Sequence, residues 1–294
     1  MTFTLSKQYK WITAGVLFAV LWASASTATK AGLAEAQPLV IAEIRFIIAA
    51  ALMLFFSHII KRQRLPANKE WKYLTVYGLL NITVYLGCYI VAMQHVTAGV
   101  GALTVATNPL FIVFLSAVFL NKKLQAPIII AIVLGTSGVM IAAWPLLKQA
   151  TVTLGGLLLL LFSMLSYSAG AIYFSSKKWN SLHLFTINGW QTLIGDVLLL
   201  PFTLLFYRND NNHFTIHFWI SVWWLAIPVS VFAGQLWLWL LQTNTIKAGL
   251  WLFLCPVFGF AIAALLLHDV ISGCTIAGVI LVMTGLFIAQ KSAR

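Results

Sequence analysis

Charge is scarce in this sequence, and negative charge is scarcer still. Only 8% of the 294 residues are Asp, Glu, Lys or Arg, and six of these are acidic, whereas about 25% of the residues of a soluble globular domain are charged. The mean hydropathy of +0.95 agrees with this deficit, so an ordinary water-soluble domain is excluded. Because one helical crossing of a bilayer takes about 20 apolar residues, the chain has the length for about ten crossings and little else.

The groups that most enzymes and metal centres need are also scarce. Cys88, Cys255 and Cys274 lie in or beside apolar runs without the spacing of metal ligands. His213 and His217 have an i, i+4 spacing, but no third ligand lies near them in the sequence. No glycine-rich phosphate-binding motif is present. We therefore expect no enzyme activity, no metal, no cofactor and no ATP drive in this chain.

Long apolar runs are what the sequence has in abundance. They predict an all-α integral membrane protein, because an isolated strand cannot satisfy its backbone hydrogen bonds in hydrocarbon. The ten predicted transmembrane helices are residues 11–31, 39–60, 73–93, 97–119, 125–145, 153–175, 183–206, 216–241, 247–267 and 272–290.

The positive charges lie in short clusters between these runs. With both termini in the cytoplasm, 14 Lys and Arg residues lie on the inner side and two, Lys148 and Arg208, on the outer side, while Lys30 and Arg45 lie within or at the ends of spans. Such a bias predicts a multi-pass protein of the cytoplasmic (inner) membrane with cytoplasmic termini. The net charge of +12 is thus an orientation signal, and no nucleic-acid partner is expected.

An internal repeat divides the chain. Residues 98–142 align with residues 245–289 at a constant offset of 147 without a gap, so that Pro109 falls on Pro256 and Gly138 on Gly285. We predict two five-helix repeats, residues 1–146 and 147–294. Because five is odd, the second repeat enters the membrane from the opposite side, and two inverted repeats enclose a central cavity that can open alternately to either side.

Several local patterns occur in order along the chain: Leu21-Trp22 followed by Lys30, residues 42–46 (AEIRF), residues 107–111 (TNPLF) with Pro256 in the second half, and glycines at 135, 138, 278 and 285. Together they resemble the drug/metabolite transporter superfamily, specifically its ten-helix EamA-like branch. One departure is that the acidic residue usual after the fourth helix is Lys122 here, whereas its repeat partner is Asp269.

The resemblance implies secondary active transport. It predicts alternating-access export of small, amino-acid-like metabolites or of drug-like solutes, coupled to protons; the alternative is an uncoupled facilitative exchanger or permease, and a channel is less favoured. The expected partners are a small-molecule substrate, protons and the lipid bilayer. The oligomeric state stays open, a monomer included.

Asp196 is the sharpest candidate for function, because it lies near the middle of the seventh span, where a charged group is costly. Spacings of three and four place a polar stripe along that helix, formed by Asn188, Gln191, Thr192, Gly195 and Asp196. The carboxyl can bind a proton in one conformation and release it in another, or hold a substrate amine. A purely structural hydrogen bond across helices is the alternative.

Three charged residues lie near the outer ends of the first two spans. Glu43 and Arg45 are two residues apart, so they leave the helix in different directions and are not expected to pair. Lys30 can pair with Glu43, and snorkelling towards the interface is the competing interpretation for Lys30 and Arg45. For Arg45, one interpretation is that it binds a substrate carboxylate or acts as a gate, and the alternative is a structural charge pair.

Aromatic and polar side chains within the spans complete the candidates. Trp22, Tyr85, Tyr89 and Trp237, with Asn81 one turn before Tyr85, either line a cavity for an apolar solute or a cation or simply pack between helices.

Prolines mark a candidate hinge. Pro109 and Pro256 share one repeat position, predicted to be within a helix, where each removes a backbone donor and provides a hinge or gate. Asn108 offers side-chain hydrogen bonds beside the first proline, whereas its repeat partner Cys255 is a much weaker hydrogen-bonding group. Gln235 adds a polar group in the eighth span.

Overall fold

The computed structural model describes residues 2–120, 126–147, 153–267 and 272–291, which are helical with short connections and contain no strand. The all-α class is therefore confirmed for this part of the chain. Lys122, Lys123, Lys148 and Asp269, which entered the charge count and the family comparison, lie outside the described residues.

Fourteen α-helices occur in the described ranges. They are α1 (Thr2–Leu33), α2 (Pro38–Leu54), α3 (Lys69–Gly78), α4 (Gly87–Ala92), α5 (Ala98–Val105), α6 (Asn108–Leu120), α7 (Ala126–Leu147), α8 (Leu154–Ser176), α9 (Leu184–Phe206), α10 (Ile216–Trp224), α11 (Gly234–Thr243), α12 (Thr245–Leu250), α13 (Leu254–Leu267) and α14 (Gly273–Lys291). π-Helical segments at Phe55–Ile60, Leu79–Leu86 and Leu225–Ala233 extend or join some of them, and 3₁₀ turns occupy Met93–His95, Asn209–Asn211 and Trp251–Phe253.

Eight helical stretches in the described residues are long and apolar enough to cross a membrane. They are Gln8–Leu33, Pro38–Ile60, Lys69–His95, Ala98–Phe119, Leu154–Ser176, Leu184–Phe206, Ile216–Thr243 and Thr245–Leu266. At the predicted fifth and tenth spans the structure has α7 and α14, whose apolar stretches, Ile129–Gly138 and Ile276–Gly285, are shorter. The chain is thus a multi-pass membrane protein with eight candidate spans among the described residues, and ten spans stay a prediction.

Side-chain caps begin several helices. The side chains of Thr97, Thr153, Thr215 and Asn244 each accept a hydrogen bond from the backbone N–H three residues later. Such a cap satisfies one of the free N–H groups at a helix start. In an apolar chain these polar residues therefore set where the helices begin.

The fourth and ninth spans are broken just before their prolines, which corrects the expectation that both prolines lie within continuous helices. α5 ends at Val105 and α6 begins at Asn108, so Pro109 is in the first turn of α6. In the ninth span the 3₁₀ turn Trp251–Phe253 precedes α13, and Pro256 lies in the first turn of α13. A proline is favoured there, because the first N–H groups of a helix have no intrahelical partner.

Helix boundaries recur along the chain at the offset found in the sequence. Helices begin at 69 and 216, 87 and 234, 98 and 245, and 126 and 273, and at 38 and 184 the offset is one residue shorter. The π-helical segments Leu79–Leu86 and Leu225–Ala233 follow the same offset to within one residue, and so do the capping residues Thr97 and Asn244. The two halves therefore share their helix starts and their departures from regular helix.

Packing between helices also follows pairs. α7 packs along α14 and α2 packs along α9, while α1 packs on α13 and α6 on α8. α2 and α9 run antiparallel, since Gln37 before α2 hydrogen-bonds the carbonyl of Phe206 at the end of α9. Each half of the chain thus contributes one helix to the α2–α9 contact, which passes beside the centre of the molecule.

Candidate functional site

A small closed cavity lies between the two halves of the chain. Its volume is about 20 Å³, which is room for about one water molecule. It is lined by Trp22, Arg45, Tyr77, Asn81, Ile82, Leu86, Asn188, Gln191, Thr192, Ser230, Gly234, Trp237 and Leu238. Seven of the residues singled out in the sequence therefore meet at one place: Trp22, Arg45, Asn81, Asn188, Gln191, Thr192 and Trp237.

A chain of hydrogen bonds crosses this cavity. Asn81 Nδ2 donates to Gln191 Oε1 (3.4 Å), and Gln191 Nε2 donates to Asn188 Oδ1 (2.9 Å). Asn188 Nδ2 donates to the carbonyl of Ser230 (3.2 Å), whose hydroxyl accepts from Arg45 Nε (2.8 Å). The network joins four spans, two from each half of the chain, and thus connects the two halves across the cavity.

Arg45 provides positive charge in the cavity wall. It is buried, and in the described part of the chain no carboxylate lies within 4.0 Å of it. The titratable groups that act on it electrostatically are Tyr85 and Tyr89. Because a buried charge is costly unless it is paired, the guanidinium is set up to receive an anion, and only Ser230 bonds to its Nε.

Aromatic rings form the opposite wall. Trp237 stacks on Tyr167 (ring centroids 5.3 Å apart) and on Phe18 (5.1 Å), and Tyr167 contacts Trp22 (5.7 Å) and Tyr85 (4.6 Å). Trp237 Nε1 and the hydroxyl of Tyr167 are buried and have no hydrogen-bond partner among the described residues. Trp237 lines the cavity, so its Nε1–H can donate to a polar group that enters it, whereas Tyr167 packs on Trp237 outside the lining.

Tyr89 lies one turn beyond Tyr85. Its hydroxyl donates to Ser26 Oγ (3.1 Å), and its ring lies 6.1 Å from that of Tyr85. Tyr85 and Tyr89 do not line the closed cavity itself but pack directly behind Arg45 and Tyr167.

Sequence reasoning missed Ser230 and Tyr167. Ser230 had a usable signal, because the offset of 147 places it on Thr83. Both residues lie in π-helical segments and bond to α9: the Thr83 hydroxyl donates to the carbonyl of Gly195, and the Ser230 carbonyl accepts from Asn188. Tyr167 lies in the middle of the sixth span, far from the membrane interface where tyrosine is common. That depth is the signal that was available for it.

Asp196 does not line the cavity. It is buried, and its carboxyl contacts the carboxyl of Glu43 on α2. Glu43 Oε1 also accepts a hydrogen bond from Thr203 (2.7 Å), and Asp196 Oδ1 has no donor among the described residues. The sequence placed these acids on separate spans; the structure brings them together because the faces of α2 and α9 that carry them pack on each other.

Lys30 makes no ion pair with Glu43, which is a correction to the sequence-based expectation. In the described ranges the one ion pair formed is Arg64–Glu70. Lys30 lies half-buried in the last turn of α1. Glu43 faces α9 and is satisfied there by Thr203, so its carboxylate is turned away from α1.

The remaining candidates lie outside the cavity. Asn108 bonds to α8 through Met164 Sδ (3.2 Å) and Ser168 Oγ (3.0 Å), which fastens the break in the fourth span to the sixth. Gln235 donates to the carbonyl of Leu184 (3.4 Å). Pro109 and Pro256 lie at the breaks described above and are likewise absent from the cavity lining.

A glycine crossing holds the polar stripe of α9 in place. A Cβ at Gly195 would lie 2.5 Å from Ile82 Cβ and 2.6 Å from the carbonyl oxygen of Gly78, and a Cβ at Gly78 would lie 2.5 Å from the carbonyl oxygen of Gln191. The backbones therefore touch between the residues that carry the cavity and the acid pair.

Two open grooves flank the cavity at opposite ends of α2. One, of about 720 Å³, includes Gln37, Pro38, Cys88, Thr203 and Arg208. The other, of about 750 Å³, includes Ser181, Phe185, Gln235 and Trp239. Pro38 and Cys88 fall on Phe185 and Gln235 at the offset of 147, so the grooves are related by the repeat.

Hydrogen bonds join the two halves of the chain at both ends of the α2–α9 contact. At one end, in what we name the Gln37 latch, Gln37 accepts from the backbone N–H of Arg208 (2.7 Å) and from Asn212 (3.0 Å), and Glu35 accepts from Thr215 (2.8 Å).

At the other end, in the Arg64 latch, Arg64 binds Glu70 with two bonds of 2.7 Å and the carbonyl of Asn180 (2.9 Å). The hydrogen bonds with Glu70 raise the pKa of Arg64, so the latch stays charged. The two latches thus join the halves at both ends.

No group of three or more metal-ligating side chains occurs in the part of the chain that the structure describes. The acid pair, with two carboxyls and a threonine hydroxyl, can hold a proton, and the cavity, with its guanidinium and unpartnered donors, can bind a small anion.

Comparison with known proteins identifies a family that matches both halves of the chain. The model of the EamA-like transporter family matches residues 9–144 and again residues 154–290. Among curated proteins, the chain is 28% identical to "Uncharacterized transporter YoaV" of Bacillus subtilis over 91% of this chain and 92% of that protein.

A second relative is "Probable amino-acid metabolite efflux pump" of Escherichia coli, 26% identical over 93% of this chain and 92% of that protein. A solved crystal structure superposes with a TM-score of 0.77 at 18% identity, covering 97% of this chain and 98% of that one, and so shows the same fold. The resemblance read from the sequence is confirmed, and the chain belongs to the EamA-like transporter family.

Proposed function

We propose that this protein is a secondary active transporter of the inner membrane that exports small, amino-acid-like metabolites by alternating access, with proton antiport as its driving force. The observation that carries the proposal is the closed cavity between the halves, in which buried Arg45 has no carboxylate partner among the described residues. A substrate carboxylate supplies that partner. A drug-like solute with an acidic group fits the same chemistry.

The architecture in this proposal is ten helices in two inverted five-helix repeats. The recurrence of helix starts at one offset and the two matches to a single family model support it. The boundary near residue 147 and the cytoplasmic location of both termini remain predictions. In an inverted repeat the two grooves and the two latches are equivalent positions facing opposite sides.

The substrate class follows from the walls of the cavity. Arg45 binds a carboxylate, Trp237 Nε1 donates to a further polar group, and the rings accept an apolar side chain. An amino acid or a close derivative combines these features. The name of the Escherichia coli relative, a probable amino-acid metabolite efflux pump, supports this class.

Counterflow in proteoliposomes tests the proposal. Vesicles loaded with unlabelled leucine or phenylalanine should accumulate the same labelled amino acid by saturable exchange. Arg45→Gln should abolish the exchange, whereas Arg62→Gln, an exposed arginine in the connection after α2, should not change it. Unsaturable flux, or exchange by Arg45→Gln equal to that of the wild-type protein, would contradict a carrier that binds a substrate carboxylate through Arg45.

The alternative function is facilitative exchange without ion coupling. Both functions give counterflow, but only proton antiport gives uphill accumulation when a pH gradient is imposed without a substrate gradient. Asp196→Asn should remove the pH-driven component and spare exchange. If the wild-type protein shows exchange and no response to a pH gradient, the facilitative function stands in place of antiport.

A further inference from the structure

We propose that the transported proton is held between Glu43 and Asp196, as a carboxyl pair at a site separate from the substrate cavity. The inference rests on the proposed proton antiport and assigns its proton to two residues, where the sequence indicated only Asp196. The two acids belong to different halves of the chain, so the proton site is itself a contact between the halves.

The geometry of the pair requires a proton. Glu43 is 6% exposed and Asp196 2% exposed, and their carboxyl groups are in hydrogen-bonding contact. Two ionised carboxylates offer only acceptors to each other, so a hydrogen bond between them forms only when one carries a proton. Ionising both in a site of low dielectric constant would place two negative charges against each other.

A second observation points to the same bound proton. Asp196 Oδ1 is buried and receives no hydrogen bond from any donor in the described residues. Glu43 Oε1 already has the hydroxyl of Thr203 as its donor. A proton shared between the acids supplies the donor that the protein does not.

No positive charge neutralises the pair in the described structure. Each carboxyl interacts with the other, and the Glu43 carboxyl also interacts with Thr203. Arg45 on α2 bonds to Ser230 and faces Tyr85 and Tyr89 of the third span, and Lys30 of α1 forms no ion pair with either acid.

Two further titratable side chains of the third span have other surroundings. Cys88 lines the 720 Å³ groove at the Gln37 end of the molecule, and Tyr77 packs on Phe174. Protonation is therefore the way in which this site reduces its charge, and the transported cation it suits is the proton.

The position of the pair explains how proton and substrate are kept apart. Neither acid lines the central cavity, while Thr203, which bonds to Glu43, lines the 720 Å³ groove that ends at Gln37 and Arg208. Protons thus reach the pair from the side of the Gln37 latch, and the substrate is held by Arg45.

The pair also links protonation to conformation. With one proton bound, the acids join α2 to α9; once that proton leaves, two carboxylates repel across the same contact. Loss of the proton therefore favours separation of α2 from α9 and admits water to the pair. Rebinding of a proton restores the closed contact, which makes the α2–α9 interface the element that protonation biases.

Infrared spectroscopy of the purified protein in liposomes tests the pair without any substrate. A protonated-carboxyl C=O stretching band that shifts in deuterium oxide should be present at neutral pH, and it should be altered in both Glu43→Gln and Asp196→Asn. Asp210→Asn, an exposed acid in the connection after α9, is the matched control and should leave the band unchanged. A band that is absent, or altered by only one of the two variants, would overturn the shared proton.

Proton movement, followed with a pH-sensitive dye trapped in the vesicles, separates this inference from the proposed function. The double variant Glu43→Gln/Asp196→Asn should lose substrate-dependent proton flux by at least about fivefold, the low end of typical coupling free energies, and should keep leucine counterflow. Undiminished proton flux in the double variant would sink the pair while antiport stands. Proton flux absent from the wild-type protein would sink antiport, and the band would then report a structural hydrogen bond.

Discussion

At the scale of single residues, Arg45 and the acid pair divide the chemistry of the molecule between two sites. The guanidinium is buried with a hydroxyl and aromatic rings around it, and the carboxyls are buried with each other. Opposite charges within one membrane protein often neutralise each other. Here they face different helices, which leaves one site able to take an anion and the other a proton.

Arg45→Lys is the sharper test of anion binding, because it keeps the charge and removes the planar set of donors. We expect the half-saturating substrate concentration in counterflow to rise about tenfold or more, since a hydrogen bond to a charged group contributes about 1.5–3 kcal/mol. The maximal exchange rate should change less. A maximal rate that collapses at an unchanged half-saturating concentration would instead indicate a role in opening and closing.

Trp237→Phe tests the unpartnered indole N–H. The ring contacts with Phe18 and Tyr167 can be kept by phenylalanine, whereas the donor Nε1 is lost. We expect about a fivefold weaker apparent affinity, as for loss of one hydrogen bond, with an unchanged melting temperature. Trp223→Phe, a half-exposed indole on α10, is the control and should alter neither quantity.

At the scale of helices, the crossing of the third span with α9 depends on glycine. Gly195→Ala should force the backbones apart, because its Cβ would lie 2.6 Å from the carbonyl oxygen of Gly78. Overpacking of this kind costs about 1–3 kcal/mol, and we expect a lower melting temperature in detergent together with slower exchange. Gly155→Ala on α8, where no atom lies within 4 Å of the new Cβ, should be tolerated. Equal stability of the two variants would mean that the crossing relaxes freely.

The broken spans show how far a sequence pattern reaches at this scale. The coincidence of Pro109 with Pro256 predicted special positions in both halves, and both prolines do lie next to a break. Their location in the first turn of the second helix, rather than in the middle of one helix, depends on where α5 and α12 end. That end point is set by packing of α5 on α13 and of α6 on α12 and α8, which the local sequence does not contain.

At the scale of the whole molecule, the two latches join the two halves of the chain at opposite ends of the α2–α9 contact. The alternating access proposed above requires each latch to open in turn. Glu70→Gln weakens the Arg64 latch, because the amide cannot accept from both guanidinium nitrogens. We expect about fivefold faster backbone hydrogen exchange in residues 177–183. Glu35→Gln should instead loosen residues 207–215, where Thr215 binds Glu35. Exchange that rises at both ends in either variant would show that the latches do not act separately.

By itself the sequence determined the all-helical membrane class, the family and the repeat offset, and it named seven residues that line the cavity. These properties follow from local composition, hydropathy and spacing, which tertiary packing does not change. The sequence also placed Asn188, Gln191 and Asp196 on one buried face of α9, since side chains three and four residues apart on a helix share a face.

Only the tertiary structure decided that this face splits between two sites, with Gln191 in the cavity and Asp196 against Glu43. It also decided that Glu43 turns from Lys30 towards Thr203, and that Ser230 and Tyr167 join the site. The physical reason is that pairing across helices depends on which faces meet and how closely the backbones approach. In this chain that approach is set at the contact between Gly78 and Gly195, more than one hundred residues apart in sequence.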